Sequence, residues 1–164
     1  MVNDPGVPRP SFWRRRVRAP LVALLTQGAT PEKLASAIAW AVVCSLFPFL
    51  GATTALNAAV AAWRRLNQPL VQAINYALTP VQLLMILVYV RAGEWLLGAT
   101  GTPFSVPEMI RAFSDLTLVD FLRRFGMAGL HAFVAWAVAA PALYWIIYYS
   151  ARPALLRLAR LLPR

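Results

Sequence analysis

The apolar run at residues 34–63 constrains this chain more than any other feature of its sequence. It is thirty residues long and carries no charge, which is incompatible with an exposed segment of a soluble domain. A membrane-spanning helix needs about 20 apolar residues, so the run is too long for one span. Pro48, which lacks a backbone donor, and Gly51, which tolerates unusual backbone angles, interrupt it. Each arm of about 14 residues would extend roughly 21 Å, short of the hydrocarbon core of about 30 Å. The pattern therefore predicts a re-entrant helical hairpin.

Composition places the whole chain in a membrane. Hydrophobic residues make up 60% of the sequence and charged residues 13%, which is typical of an all-α integral membrane protein. The net charge of +10 is mostly arginine beside apolar segments, a pattern of the cytoplasmic membrane face with its anionic headgroups. Nucleic-acid binding is the competing interpretation, but it is not favoured because no basic stripe lies on a soluble fold.

The sequence contains few residues that could hold a metal or cofactor. It has one cysteine, Cys44, and one histidine, His131. We therefore expect no metal site, no cofactor and no internal disulfide. Cys44 lies inside the first apolar arm, where a small buried apolar role is expected.

Residues 11–164 are predicted to form a single membrane domain, preceded by a short tail. Residues 1–10 are rich in proline and are predicted to be a disordered tail. Residues 11–26 combine a cluster of arginines with apolar residues at helical spacing, which predicts an interfacial helix. A signal peptide is the alternative. It is less favoured because the apolar core at residues 21–25 is short and no convincing cleavage site follows.

Two broken helical units follow in the prediction. The hairpin at residues 31–66 begins at the helix-start pattern Thr30-Pro31-Glu32 and ends at Arg64-Arg65, which return it to the cytoplasmic side. A second broken unit is predicted at residues 69–98, interrupted at Thr79-Pro80. The alternative is that Pro80 kinks a single spanning helix. Paired interruptions of this kind indicate binding sites in transporters.

The rest of the chain is predicted to complete a multi-pass bundle. Residues 105–125 are expected to form two short amphipathic helices on the extracytoplasmic side. A transmembrane helix is expected at residues 126–150, with tyrosine and tryptophan near its end. Residues 152–163 are expected to be a basic amphipathic tail. Both termini would then be cytoplasmic.

Five short motifs along residues 30–98 resemble a bacterial membrane family. They are Thr30-Pro31-Glu32-Lys33-Leu34-Ala35, Phe47-Pro48-Phe49-Leu50-Gly51-Ala52-Thr53-Thr54, Arg65-Leu66-Asn67, Thr79-Pro80-Val81 and Arg91-Ala92-Gly93. The family is the one catalogued as domain of unknown function 2062. The positions that match its pattern by order and spacing are Pro48, Gly51, Thr54, Asn67, Pro80 and Gly93. The sequence departs from the family at Thr79, where asparagine is usual, and in the first arm, where alanine and serine replace glycines. The resemblance implies a location in the bacterial inner membrane and implies no particular activity.

The first functional hypothesis is a transporter or flippase for a phosphate-bearing lipid such as a polyprenyl phosphate. Arginine binds phosphate through a planar bidentate fork, and polar side chains at membrane depth are costly unless they are paired or face water. The predicted headgroup ligands are Arg64, Arg65 and Arg91, with Glu94 as a proton-linked partner. The path would be lined by Thr54, Asn57, Asn75 and Thr79, and the structural breaks would be Pro48, Gly51 and Pro80.

The second hypothesis is a non-catalytic membrane module that assembles with, or positions, an envelope-synthesis enzyme. Small size and closely packing alanines fit it equally well, and a homodimer is compatible with either hypothesis. An intramembrane enzyme is the third and least favoured. The sequence shows no Asp/His or Ser/His set, no metal-ligand pair and no nucleotide-binding loop.

Overall fold

The computed structural model of the chain describes Ala23, residues 30–99 and residues 105–161. Every regular element in these ranges is an α-helix, so the all-α prediction is confirmed. The predicted tail at residues 1–10, the helix predicted at 11–26 apart from Ala23, and the last two residues of the tail predicted at 152–163 lie outside the described residues. The helices are α1 (Pro31–Ser45), α2 (Ala52–Trp63), α3 (Gln68–Leu96), α4 (Val106–Asp115) and α5 (Leu118–Arg160).

Helix α1 is the central element of the bundle. Its start follows the sequence pattern: the Thr30 side chain accepts a hydrogen bond from the Lys33 amide at 3.3 Å, and Pro31 occupies the first turn. Ala35, Ala39 and Ala41 are completely buried, and α2, α3 and α5 all pack on this helix. Small side chains allow such close approach on several sides. The apolar run identified in the sequence therefore forms the centre of the molecule.

The break between α1 and α2 occurs where Pro48 and Gly51 predict it. Helix α1 ends at Ser45, and Gly51 adopts a left-handed conformation (φ +80°, ψ −24°) immediately before α2. Glycine adopts this conformation without the Cβ penalty of other residues. The carbonyl of Phe47, left without a helical partner, accepts a hydrogen bond from the Gln82 side chain of α3 at 2.9 Å. The break is therefore held by the neighbouring helix.

The two arms form a hairpin whose open ends lie together. Ala41 of α1, Ala61 of α2 and Val71 of α3 share one buried cluster, so α2 runs back along α1. A second cluster joins Leu34, near the start of α1, to Leu155, near the end of α5. The start of α1, the end of α2, the start of α3 and the end of α5 therefore lie at one end of the bundle, which we call the basic end.

The structure corrects the prediction of a second broken unit at residues 69–98. Residues 68–96 form one continuous helix that contains Pro80, so Thr79-Pro80 is not a break. The Thr79 hydroxyl donates to the carbonyl of Asn75 at 3.3 Å, and such bonds are one way in which apolar helices accommodate proline. Asn75 and Gln82, on either side of the proline, are also anchored to the hairpin. The alternative of a single helix through Pro80 is the one observed.

The helices of the carboxyl-terminal half also have other bounds than the sequence predicts. Helix α4 corresponds to the first short helix expected at residues 105–125, but the second is the start of α5. Helix α5 contains the predicted transmembrane segment at residues 126–150 and continues to Arg160, so the basic tail is not separate over its described part. Thr117 caps α5 by accepting from the Asp120 amide. Pro141 and Pro153 both lie within this helix without ending it.

Helices α3 and α5 cross in close contact at Gly93. A Cβ atom added there would lie 1.9 Å from the carbonyl oxygen of His131, in the backbone of α5. His131 itself is buried, as are Ala128 and Ala132 beside it. Only glycine permits this distance between the two backbones.

Helices α3 and α5 are the two described helices that are long and apolar enough to cross a membrane. Only 28% and 17% of their most apolar windows are buried within the bundle. The core helix of a soluble protein would bury most of that surface. The exposed apolar faces of α3 and α5 favour a membrane location.

Candidate functional site

A network of uncharged polar side chains lies inside the hairpin. Asn57 of α2 is 1% exposed. Its amide nitrogen lies 3.2 Å from the Ser45 hydroxyl, 3.0 Å from the Thr53 carbonyl and 3.2 Å from the Asn75 side-chain oxygen. An amide nitrogen has two hydrogens, so the three acceptors share them. Asn57 thus connects both arms of the hairpin to α3.

The network extends along α3 towards the basic end. The Asn75 amide nitrogen donates to the Thr54 hydroxyl at 3.2 Å, and the Gln72 amide nitrogen donates to the Thr54 carbonyl at 3.2 Å. The side-chain oxygens of Asn57 and Gln72 have no hydrogen-bond partner among the described residues. Buried polar atoms without partners are costly. A hydrogen-bond donor beside either oxygen would remove this cost.

Arg64 and Arg65 lie exposed at the basic end, where α2 ends. The Arg64 guanidinium lies over the rings of Trp40 and Trp63, with its carbon 5.8 Å and 5.4 Å from their centroids. Such contacts orient the cation without neutralising it. Arg65 has a positive φ of 53°, and the Leu66 amide bonds back to Ala61 at 2.8 Å. Both guanidinium groups are therefore presented outward.

Arg91 and Glu94 lie near the other end of α3. Glu94 is buried, and its carboxylate accepts a hydrogen bond from Arg91 at 2.8 Å. Arg91 follows the start of α3 by 23 residues, a distance of about 35 Å along the helix. The three arginines predicted to bind the headgroup therefore lie too far apart to contact one phosphate at the same time, and headgroup binding by each of them stays a prediction. The structure has two separate arginine sites at opposite ends of the bundle.

The remaining predicted path residues divide into two groups. Thr54, Asn57 and Asn75 meet in the network, whereas Thr79 is exposed and bonds within its own helix. The sequence analysis did not predict a role for Ser45, nor the hydrogen bond that Gln82 donates to the carbonyl of Phe47. Both residues could have been found by the feature that identified Asn57, a polar side chain inside an apolar segment. The sequence does not reveal that three separate segments bring them together.

A cavity of about 590 Å³ lies beyond the tip of the hairpin. Its walls are residues 47–50 of the break, Ile86 and Val90 of α3, Met109 and Phe113 of α4, and the part of α5 between residues 121 and 133. Every described residue that lines it is apolar or glycine. The polar network and this cavity therefore lie on opposite sides of the break.

The described residues offer no group of three histidine, cysteine, aspartate or glutamate side chains that could hold a metal ion. The arginines offer guanidinium groups, and the polar network of the hairpin offers amide and hydroxyl groups. These groups can bind an anion or a hydrogen-bonding headgroup, while the cavity can hold an apolar group.

Fold and site together define a class: a small all-helical bundle in which two long apolar helices pack against a broken helical hairpin. Comparison with known proteins then identifies the family. The model of the family described as "Uncharacterized protein conserved in bacteria (DUF2062)" matches residues 14–161, and the chain belongs to this family. The match confirms the resemblance seen at residues 30–98 and extends it over α4 and α5. Neither the curated proteins nor the solved structures contained a match to this chain.

Proposed function

We propose that this protein resides in the bacterial inner membrane and transports a phosphate-bearing lipid, such as a polyprenyl phosphate, between the two leaflets. In this proposal α3 and α5 span the membrane, and the hairpin of α1 and α2 re-enters it from the cytoplasmic side. The basic end and both termini then face the cytoplasm. The observation that carries the proposal is the amide network of Asn57, Asn75 and Ser45 inside an uncharged hairpin.

The two arginine sites support a role in moving a phosphate between two surfaces. Arg64 and Arg65 lie at one end of α3, and Arg91 lies about 35 Å along it, close to the thickness of a bilayer. A guanidinium binds phosphate through two parallel hydrogen bonds. At each surface an arginine would receive the headgroup. Glu94 would hold Arg91 while no phosphate is bound.

The network supplies what a headgroup would need between these surfaces. A phosphate leaving water loses its hydration, and hydrogen-bond donors at membrane depth offset part of that cost. The amide nitrogens of Asn57, Asn75 and Gln72 are such donors, and they now satisfy internal acceptors. Exchange of internal bonds for bonds to the lipid is the step proposed here. It requires a small separation of α2 from α3.

Lipid retention tests this proposal. Native mass spectrometry of the detergent-extracted protein is expected to show a co-purifying phosphate-bearing lipid. Arg64→Ala and Arg91→Ala are each expected to lower its occupancy by about tenfold, since a charged hydrogen bond contributes roughly 1.5–3 kcal/mol. Arg111→Ala, which removes an exposed arginine of α4, is the matched control and should retain the lipid.

Two outcomes would count against transport. One is equal lipid occupancy in all three variants, which would place the lipid elsewhere. The other is a stoichiometric protein partner with no retained lipid, which would support the module that assembles with an envelope-synthesis enzyme.

Lipid movement itself would be measured in proteoliposomes, as the rate at which a fluorescent lipid phosphate in the inner leaflet becomes accessible to an external quencher.

The re-entrant topology gives a second prediction. In a Cys44→Ala background, which removes the single native thiol, Arg64→Cys and Arg160→Cys should react with a membrane-impermeant maleimide only after cells are opened. Leu97→Cys, at the exposed end of α3, should react in cells whose outer membrane alone is permeable. Labelling of positions 64 and 97 from the same side would exclude a membrane-spanning α3.

A further inference from the structure

The apolar cavity beyond the hairpin tip is separate from the arginines and amides that carry the proposed transport. We propose that it is a binding site for one hydrocarbon chain of a membrane lipid. Its volume of about 590 Å³ falls within the range of small-molecule sites, roughly 300–1,000 Å³. The inference concerns chain binding, and it stands whether or not the bound lipid is moved.

The lining determines the chemistry of the occupant. Phenylalanines from three segments, Phe47 and Phe49 of the break, Phe113 of α4 and Phe125 of α5, surround the space. Apolar cavities remain dry and accept apolar molecules. A polar ligand would lose its hydration here without gaining hydrogen bonds from side chains. A hydrocarbon chain is the occupant that this lining stabilises.

The cavity opens on the apolar flank of the bundle. Several of its lining residues are also exposed, among them Phe49, Phe113, Leu122 and Phe133. Met127 and Leu130, which lie between Leu122 and Phe133 on α5, continue this exposed apolar surface. Two features make a lipid chain the expected occupant: the opening is reached across an apolar surface, and α5 has the length and composition of a membrane-crossing helix.

The walls of the cavity are well supported. The Phe47 ring packs edge-on against Trp136, with centroids 4.9 Å apart, and against Phe133 at 6.3 Å. The Trp136 indole donates to the Val43 carbonyl at 3.1 Å, which fixes α1 to α5 just below the cavity. A preformed site loses less entropy on binding. The break at Pro48 therefore also serves as the floor of this site.

A charged pair lies at the edge of the cavity. Glu108 forms an ion pair with Arg124, and these residues adjoin the lining residues Met109 and Phe125 in sequence. The pair joins α4 to α5. It supplies a polar edge at which the headgroup of a lipid can remain while its chain enters the cavity.

Gly126 allows a sharp test of this site. It lines the cavity, and a Cβ atom added there would meet nothing within 4 Å. Gly126→Phe therefore has room for its Cβ and is expected to place its ring in the cavity, and removing a glycine favours the helix. Met127→Phe introduces the same side chain one position away, where the native side chain is exposed. The pair compares a ring placed in the cavity with a ring placed on the exposed surface beside it.

The experiment uses the full chain in liposomes of phosphatidylethanolamine and phosphatidylglycerol that contain phosphatidylglycerol with a diazirine in one acyl chain. After irradiation, peptide mass spectrometry is expected to find the wild-type protein labelled at residues 47–50 and 121–133. In Gly126→Phe the labelling of residues 47–50 should fall by about tenfold, the change expected when a chain loses burial of about two methylene groups. Met127→Phe should label like the wild type.

Two results would overturn the inference. One is undiminished labelling of residues 47–50 in Gly126→Phe. The other is wild-type labelling spread evenly over the exposed faces of α3 and α5 with none at the break. Gly126→Leu, a smaller filling residue, provides a second variant if Gly126→Phe does not fold, as judged by circular dichroism and gel filtration. Arg64→Ala is expected to leave this labelling unchanged even if it abolishes transport, so the two proposals fail independently.

Discussion

Replacing Gly93 with alanine is expected to destabilise the protein more than any other single methyl addition considered. The new Cβ would lie 1.9 Å from the His131 carbonyl oxygen. Neither atom can rotate away, because the backbone of α3 fixes the Cβ position and the oxygen belongs to the backbone of α5. The helices α3 and α5 must separate, which loosens the packing of Val90 and Ala132 around the crossing. We expect a loss of about 3 kcal/mol or more in the free energy of unfolding. Thermal unfolding in dodecyl maltoside, followed by circular dichroism, measures it.

Gly126→Ala is the matched control for this prediction. It lies on α5, only five residues before the crossing, and its added Cβ would meet open space. Because alanine favours a helix over glycine, the control should unfold at the same temperature or higher, with a gain of up to about 1 kcal/mol. Equal unfolding temperatures for Gly93→Ala and the wild type would show that the two helices do not cross at the distance described.

The second large effect is expected for Asn57→Asp. The two side chains have the same shape, but the carboxylate lacks the hydrogens that the amide shares among Ser45, Thr53 and Asn75. An ionised carboxylate would face three acceptors in a site that is 1% exposed. Burial of an unpaired charge of this kind should cost about 3 kcal/mol or more at neutral pH, measured by the same unfolding experiment.

Two further variants separate charge from shape in this prediction. Asn57→Leu removes the hydrogen bonds without adding charge and should cost less, about 1–2 kcal/mol. Asn67→Asp makes the same chemical change at the amino-terminal cap of α3, where the side chain accepts from the Leu70 amide at 2.9 Å. Aspartate caps a helix as well as asparagine does, so this variant should be as stable as the wild type. A stable Asn57→Asp protein would contradict the buried network.

The central hairpin was predictable because its signals are local. An uncharged run, a proline and glycine in its middle, and arginines at its end all lie within consecutive residues. The backbone conformation at Gly51 follows from a property of that residue alone. The cost of Asn57 in an apolar arm likewise identified it before its partners were known. Local chemistry therefore suffices to find the break and the centre of the polar network.

Other features depend on contacts between distant segments, and there the sequence was insufficient. Pro80 resembles Pro48 in its sequence surroundings, yet only Pro48 ends a helix. The difference arises because α3 is anchored to the hairpin on both sides of Pro80, through Asn75 and Gln82. The wide separation of the three predicted arginines has a related cause. Once α3 is continuous, Arg91 lies at its far end.

Gly93 lies between these two groups of features, because its position was identified from the sequence but the reason for the glycine was not. The family resemblance identified the position, but neither its neighbours in sequence nor its place on α3 explains why glycine is needed. The explanation is the backbone of His131, 38 residues later, which approaches it closely. The apolar cavity could not be anticipated at all. Its walls come from four parts of the chain, and no one of them carries a distinctive pattern.

The burial of α1 also has a consequence for how the protein is made. Chains are synthesised from the amino terminus, and their domains form as the chain emerges. The helix at the centre of this bundle is therefore the first described helix to be completed, whereas α3 and α5, which cover it, follow later. At 15 residues, α1 is too short to span a bilayer alone. If α3 and α5 span the membrane as proposed, we expect α1 to remain at the membrane surface during translation and to enter only when α5 has been inserted, so that the first described helix to be made is the last to reach its final position.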